Sequence, residues 1–250
     1  MEKTFGLIGY PLGHSFSKKY FTEKFIRENI KHSTYELFEI KNISEITEVF
    51  KTKGLRGLNV TIPYKEKIIP WLDKLEPKAK EIDAVNVIKI TQDGITEGFN
   101  ADYYGFKTSL ERWVGCLYGL RALILGTGGA SKAVKKVLED LDIPFLSVSR
   151  SKDKGNITYE SLHNDPSLIQ SFKLIINTTP LGMSPILNTC PDLPYHLLSP
   201  DNYLYDLVYN PSETLFMKKG AKMNAHVKNG YEMLALQAEK SWEIWNDPED

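Results

Sequence analysis

RALILGTGGASKAVKKVLEDLDIPFLSVSRSKDK, residues 121–154, is the stretch that decides the fold. The apolar run from Ala122 to Leu125 reads as a buried strand. It ends in a glycine turn made by Gly126, Gly128 and Gly129. A helical pattern follows, with Ala130, Val134, Val137, Leu138 and Leu141 on one face. A second apolar run, Phe145 to Val148, closes the unit. Strand, turn, helix and strand in this order form the context of a dinucleotide fingerprint. Gly126 lets the chain turn, Gly128 lets the backbone approach a pyrophosphate, and the free N–H groups of the helix start can bind that anion. The third glycine position holds Ser131, and the same loop without a ligand is a plain helix-start turn.

The end of the second strand carries the next signal. NAD-binding units place an acid there, about 20 residues past the glycines, for the ribose hydroxyls. Here the chain reads Ser149, Arg150, Ser151, Lys152, with Lys154 just beyond. An acid would repel a ribose phosphate, whereas Arg150 can bind one through two donors and Ser149 and Ser151 can offer hydroxyls. The expected cofactor is therefore NADP rather than NAD.

Composition narrows the remaining classes. The chain has 250 residues, 42% of them hydrophobic, and a net charge of −1 with both signs spread along its length. Such a balance predicts a globular protein of one large or two small domains, with no nucleic-acid or membrane partner. Cys116 and Cys190 form no metal pattern and read as reduced structural thiols, so no metal is expected. No apolar run approaches the ~18 residues that span a bilayer, and the N-terminus lacks a signal-peptide core. The expected location is the cytoplasm.

The first hundred residues alternate short strand and helix signals. Strands are predicted at Thr4–Gly9, Thr34–Ile40 and Leu58–Thr61, and helices at Ser17–Asn29, capped by Ser17, and at Ser44–Lys53. Pro63 is expected to open a short helix. Val85–Thr91 and Ile95–Phe99 flank the hairpin-like turn Gln92-Asp93-Gly94. A helix over Asp102–Trp113 leads into the nucleotide unit. That unit continues through the apolar runs Leu174–Asn177 and Tyr203–Val208, which suit a parallel sheet covered on both faces. An amphipathic helix over Gly230–Trp245 ends the pattern. The fold class is thus α/β with two domains, residues 1–101 joined by the segment 230–250, and residues 102–229, with a cleft between them as the natural meeting place of substrate and cofactor.

A nicotinamide enzyme acting on an alcohol or ketone needs an acid/base group beside the cofactor. In Asn59-Val60-Thr61-Ile62-Pro63-Tyr64-Lys65 a strand end delivers two polar side chains and a proline turn then presents a lysine. By spacing alone Lys65 reads sooner as a solvated helix residue than as a catalytic group. Asp102 can be a catalytic partner or a helix N-cap. Ser15 and Ser17 can hold a carboxylate or cap a helix, and the adjoining His14 reads as structural. Asn86 and Gln237 are unremarkable polar residues when taken singly.

Taken in order, GYPLGHSFS (9–17), NVTIPYK (59–65), DAVNVI (83–88), GFNAD (98–102), GTGGAS (126–131), SRS (149–151), NTTPLGM (177–183), YDLVYNP (205–211) and NGYEMLALQ (229–237) resemble the shikimate dehydrogenase family. The resemblance implies a substrate-binding α/β domain followed by a Rossmann-type NADP domain. It implies reversible reduction of 3-dehydroshikimate to shikimate in chorismate and aromatic amino-acid biosynthesis, with Lys65 and Asp102 as the catalytic pair. Ser15 and Ser17 would hold the substrate carboxylate, Asn59, Thr61, Asn86 and Gln237 the ring hydroxyls, and Tyr209 would lie on the substrate side. On the cofactor side it implies Gly126, Thr127, Gly128, Gly129, Ala130, Ser149, Arg150, Ser151, Thr178, Leu207, Gly230 and Met233. Asp83 stands where the family often has glycine. The implied assembly is a monomer or homodimer. Alternatives are a quinate/shikimate dehydrogenase that also accepts NAD, and a catalytically silent NADP-binding paralogue.

Overall fold

The computed structural model describes residues 2–13 and 15–247. His14 and the last three residues of the 230–250 segment lie outside them. The chain forms two compact units, one of Met1–Tyr104 with Gln237–Asp250 and one of Gly105–Leu236.

The first unit contains β1 (Lys3–Gly9), α1 (Phe16–Arg27), β2 (Ser33–Glu39), α2 (Ile46–Phe50), β3 (Leu55–Val60), β4 (Lys74–Leu75), α3 (Pro77–Ile82), β5 (Val87–Ile90), β6 (Thr96–Phe99) and the start of α4 (Ala101–Val114). Its six strands make one sheet in the order β2-β1-β3-β5-β6-β4. β1 runs parallel to β2 and β3, whereas β5 pairs antiparallel with both β3 and β6. The β5–β6 turn is closed by the Thr91 N–H donating to the Ile95 carbonyl at 3.0 Å. Gly94 supplies the left-handed residue there, at φ +85. One core cluster packs Ile8, Leu58, Val60 and Ile88 against Ile46, Val49 and Ile68.

The second unit contains the rest of α4, β7 (Ala122–Leu125), α5 (Gly129–Asp140), β8 (Phe145–Ser149), β9 (Ile157–Thr158), α6 (Tyr159–Asn164), α7 (Pro166–Ser171), β10 (Leu174–Asn177), β11 (Tyr203–Asp206), α8 (Leu215–Ala221), β12 (His226–Lys228) and the start of α9 (Tyr231–Trp245). Its sheet is parallel throughout, in the order β12-β11-β10-β7-β8-β9. This is the doubly wound Rossmann order, with the reversal of direction between β7 and β10. All four residues of β7 and of β10 are buried, which is why both read as apolar runs, broken only by Asn177 at the end of β10.

Three local expectations are corrected. Ser17 does not cap α1; Ser15 does, accepting from the Lys18 N–H at 3.3 Å. Pro63 opens no helix. The Lys65 carbonyl accepts from the Val85 N–H at 2.7 Å, and the Ile69 N–H turns to Glu66 instead, so the helical ladder is interrupted. Turns fill this stretch up to a short 3-10 segment at Ile69–Trp71. Asp102 is not the cap of α4, because Asn100 Oδ1 accepts from the Tyr103 N–H at 3.2 Å. The short elements β4, α3, β9, α6, α7, α8 and β12 carry too few residues to show a period in the sequence.

Candidate functional site

The first unit gathers its candidate residues where β3 ends and where β5 and α4 begin. The Val60 N–H donates to the Asn86 carbonyl at 2.9 Å, and the Thr61 N–H to the Ile8 carbonyl at 2.9 Å. Asn86 Oδ1 accepts from the Ala101 N–H at 2.7 Å, so this buried amide holds the first residue of α4. Asn100 Nδ2 donates to the Ala84 carbonyl at 2.9 Å while its Oδ1 caps the helix. These two amides leave Asp102 in the first turn, where the helix dipole favours a carboxylate. Lys65 Nζ lies 2.6 Å from Asp102 Oδ2, with side chains only 21% and 13% exposed. A charge-assisted contact so short and so sheltered fixes the ammonium head in place.

Ser15 and Ser17 sit at the start of α1, both half-buried. The Ser15 oxygen accepts from the helix, which leaves its own O–H available as a donor. Gln237 is buried on α9, and its backbone carbonyl accepts from the Ser241 hydroxyl at 2.8 Å. Asp83, in the glycine-favouring position before Ala84, adopts φ 56 and ψ 43. Aspartate tolerates this left-handed conformation better than most residues do, so the departure leaves the turn intact.

The second unit holds a cavity of about 410 Å³ lined by Gly126, Thr127, Gly128, Ser149, Arg150, Ser151 and Thr178 from the expected set, and also by Lys154, Tyr159 and Leu181. It opens at the carboxyl ends of β7, β8 and β10, beside the topological switch point. Gly126 has φ +107, and a Cβ there would stand 2.9 Å from Thr178 Oγ1. Gly128, in contrast, has open space where its Cβ would be, and it caps α5 with no side chain in the way. The first-turn N–H groups at Gly129 and Ala130 have no acceptor within the helix and suit a pyrophosphate. Ser131, in the third glycine position, is buried with its hydroxyl donating to the Gly128 carbonyl at 2.7 Å.

The serines beside Arg150 differ from expectation. The Ser149 hydroxyl donates to the Ser151 carbonyl and accepts from the Ser151 N–H at 3.1 Å. The Ser151 hydroxyl meets the Asp153 carboxyl, which it holds below the usual carboxylate range. Both hydroxyls therefore shape the turn that presents Arg150. Thr178 is likewise tied down, its hydroxyl and N–H donating to the Leu125 carbonyl at 2.8 and 3.0 Å. Leu207, Gly230 and Met233 do not line this cavity. Leu207 and Gly230 meet each other, since a Cβ on Gly230 would stand 2.1 Å from the Leu207 carbonyl oxygen. Met233 is buried, and burial raises the pKa of the Tyr209 phenol.

Asp206 is a group of this unit to which residue type alone gave no role. It pairs in register with Asn177 at the ends of β11 and β10 and is fully buried. Its carboxylate accepts from Asn177 Nδ2 at 2.9 Å, the Val208 N–H at 3.0 Å and the Thr214 hydroxyl at 2.5 Å. Burial nonetheless pushes it up to about 6. Asn177 Oδ1 in turn accepts from the Thr179 N–H and hydroxyl at 3.0 and 2.6 Å, so the cluster fastens the loop that borders the cavity.

Among the described residues no group of three or more His, Cys, Asp or Glu could hold a metal ion, and no helix is long and apolar enough to cross a membrane.

Residues 7–88 match the family model described as shikimate dehydrogenase substrate binding domain. A relative in Clostridium perfringens, named shikimate dehydrogenase (NADP(+)), is 40% identical over 254 residues, covering 98% of this chain and 92% of its own length. The crystal structure of shikimate dehydrogenase 1 from Peptoclostridium difficile superposes with a TM-score of 0.83 at 37% identity, covering 99% of this chain and 93% of that one. The Thermus thermophilus enzyme, crystallised in complex with NADP(H) and shikimate, gives a TM-score of 0.85 at 25% identity, covering 98% and 93%. With this identity across nearly its whole length, the chain belongs to the family of NADP(+)-dependent shikimate dehydrogenases.

Proposed function

We propose that this chain interconverts 3-dehydroshikimate and shikimate with NADP(H), and that Lys65 and Asp102 handle the proton. The observation that carries the reading is the 2.6 Å contact between Lys65 Nζ and Asp102 Oδ2 beside the strand-end amides Asn59 and Asn86. When bound, NADPH supplies the hydride. The ring ketone takes that hydride at carbon and one proton at oxygen, leaving an alcohol and NADP. Lys65 points its ammonium at the carbonyl oxygen, stabilises the charge that develops there and delivers or relays the proton. Asp102 keeps Lys65 aimed. Ser15 and Ser17 take the substrate carboxylate through hydroxyls rather than through an arginine, so shape and hydrogen bonds set the specificity. Asn59, Thr61, Asn86 and Gln237 read the ring hydroxyls, and Tyr209 borders the substrate.

The cavity at the switch point of the second unit suits the nucleotide. Gly126 and Gly128 allow close approach of the pyrophosphate to the start of α5, and Thr127, Gly129, Ala130 and Thr178 complete the cradle. Arg150, presented by the Ser149–Ser151 turn, takes the ribose phosphate. Leu207, Gly230 and Met233 serve the nicotinamide end. The enzyme works in the cytoplasm as a monomer or homodimer, a setting that suits its two free cysteines.

The test is NADPH formation from shikimate with NADP, run beside quinate and NAD in all four combinations. Turnover with shikimate and NADP alone is expected. Equal turnover with quinate or NAD would move the assignment to a broad-specificity enzyme, and NADP binding without turnover in any mixture would overturn it.

A further inference from the structure

Asn59 is 4% exposed and is held from both ends. Its Oδ1 accepts from the Tyr35 hydroxyl at 2.7 Å. Its Nδ2 donates to Ser241 Oγ at 2.9 Å and lies 3.4 Å from the Asn86 carbonyl. Ser241, itself fully buried, cannot donate back, because its own proton goes to the Gln237 carbonyl at 2.8 Å. The Ser241 end therefore fixes which way the amide faces, and the Tyr35 hydroxyl meets the oxygen. The phenol proton serves Oδ1, both amide protons face protein acceptors, and one lone pair on Oδ1 remains. An asparagine alone could turn its amide over and offer a donor instead; here that would set Oδ1 against the Ser241 oxygen, whose proton is held by the Gln237 carbonyl, and would cost Oδ1 the Tyr35 proton.

Tyr35 is well anchored for this task. It is 3% exposed and stacks on Phe21 with ring centroids 4.7 Å apart and planes 11° apart. The Ser17 hydroxyl reaches the same phenol. The chain from α1 through β2 and β3 to α9 thus links four residues that carry or adjoin candidate substrate contacts.

We propose that Tyr35 is a positioning residue which, with Ser241 on the opposite end of the amide, locks Asn59 as a hydrogen-bond acceptor toward a hydroxyl of the substrate ring. The proposal rests on the reading that Asn59 contacts the substrate.

The experiment is a double-mutant cycle with Tyr35→Phe and Asn59→Ala, read as KM for shikimate, KM for NADP, kcat and melting temperature. Tyr35→Phe keeps the stacked ring and removes one hydroxyl. It is expected to raise KM for shikimate about threefold to tenfold, the effect of one neutral hydrogen bond. KM for NADP should be unmoved. In the Asn59→Ala background the same change should be silent, which a merely structural role would not produce. An unchanged KM in Tyr35→Phe, or the same rise with and without Asn59, overturns the proposal. If Tyr35→Phe does not fold, Ser241→Ala runs the same cycle from the other end of the amide. A wild-type protein that does not oxidise shikimate defeats the functional reading itself, and that is seen before any variant is measured.

Discussion

Asp206 offers a test in which burial and hydrogen bonding pull in opposite directions. Three donors converge on its carboxylate and favour the charged form, while complete burial disfavours it. Burial wins, lifting the group from 3.8 to about 6. A carboxyl whose folded pKa lies above its unfolded one binds its proton more tightly in the native state. Its contribution to stability is therefore fully present below the unfolded value and is lost as pH rises through the folded value. A shift of about two units is worth about 3 kcal/mol. Urea unfolding of the wild type and of Asp206→Asn, from about pH 4 to about pH 8, separates this contribution from all other titrating groups. The asparagine presents an amide to three donors, so its absolute stability will suffer at every pH, but it cannot titrate. The stability difference, wild type minus variant, should fall by roughly 2 kcal/mol across that range, the rest having been lost already below about pH 4. A constant difference would mean that Asp206 does not titrate abnormally. A difference that grows with pH would mean that the donors outweigh burial and the reasoning is reversed.

Other outcomes follow from the same geometry. Lys65→Ala should cut kcat by about two to four decades, the worth of a positioned proton donor. NADP binding, followed by titration calorimetry, should survive, because Lys65 does not line the cavity of the second unit. Arg150→Ala should raise KM for NADP about tenfold to a hundredfold, the range of a charged hydrogen-bonded contact, and change KM for NAD little. Equal effects on both cofactors would detach Arg150 from the ribose phosphate. Gly126→Ala must place a Cβ 2.9 Å from Thr178 Oγ1 at a φ of +107, so it should lower the melting temperature and weaken NADP binding together. Gly57→Ala would put a Cβ 2.2 Å from Trp245 Nε1, which donates to the Ile88 carbonyl at 3.0 Å. An overpacking cost of about 1–3 kcal/mol in chemical denaturation is expected.

The order of strands and helices in the nucleotide unit was legible because β7 and β10 are covered on both faces and α5 on one, so burial wrote an apolar run or a helical period into the chain. The glycine turn and Arg150 stood out by their places after β7 and β8, whereas Lys65 and Asp102 read singly as a solvated lysine and a helix cap. What distinguishes a catalytic lysine from a solvated one was not legible. Residues 65 and 102 are far apart in the chain, and only the packing of β3, β5 and α4 brings their charges to 2.6 Å. Helix caps shifted by two residues between sequence and structure because Ser15 and Ser17, or Asn100 and Asp102, are chemically equivalent candidates. Backbone geometry alone chooses between them. Tyr35 and Ser241 gave no signal, since a tyrosine in a strand and a serine in an amphipathic helix are ordinary core residues; their meaning lies in which end of a distant amide each one faces. Side-chain type and periodicity are local properties and survive in sequence. Hydrogen-bond direction and the balance of burial against donors depend on partners far away in the chain, and so the tertiary structure alone decides them.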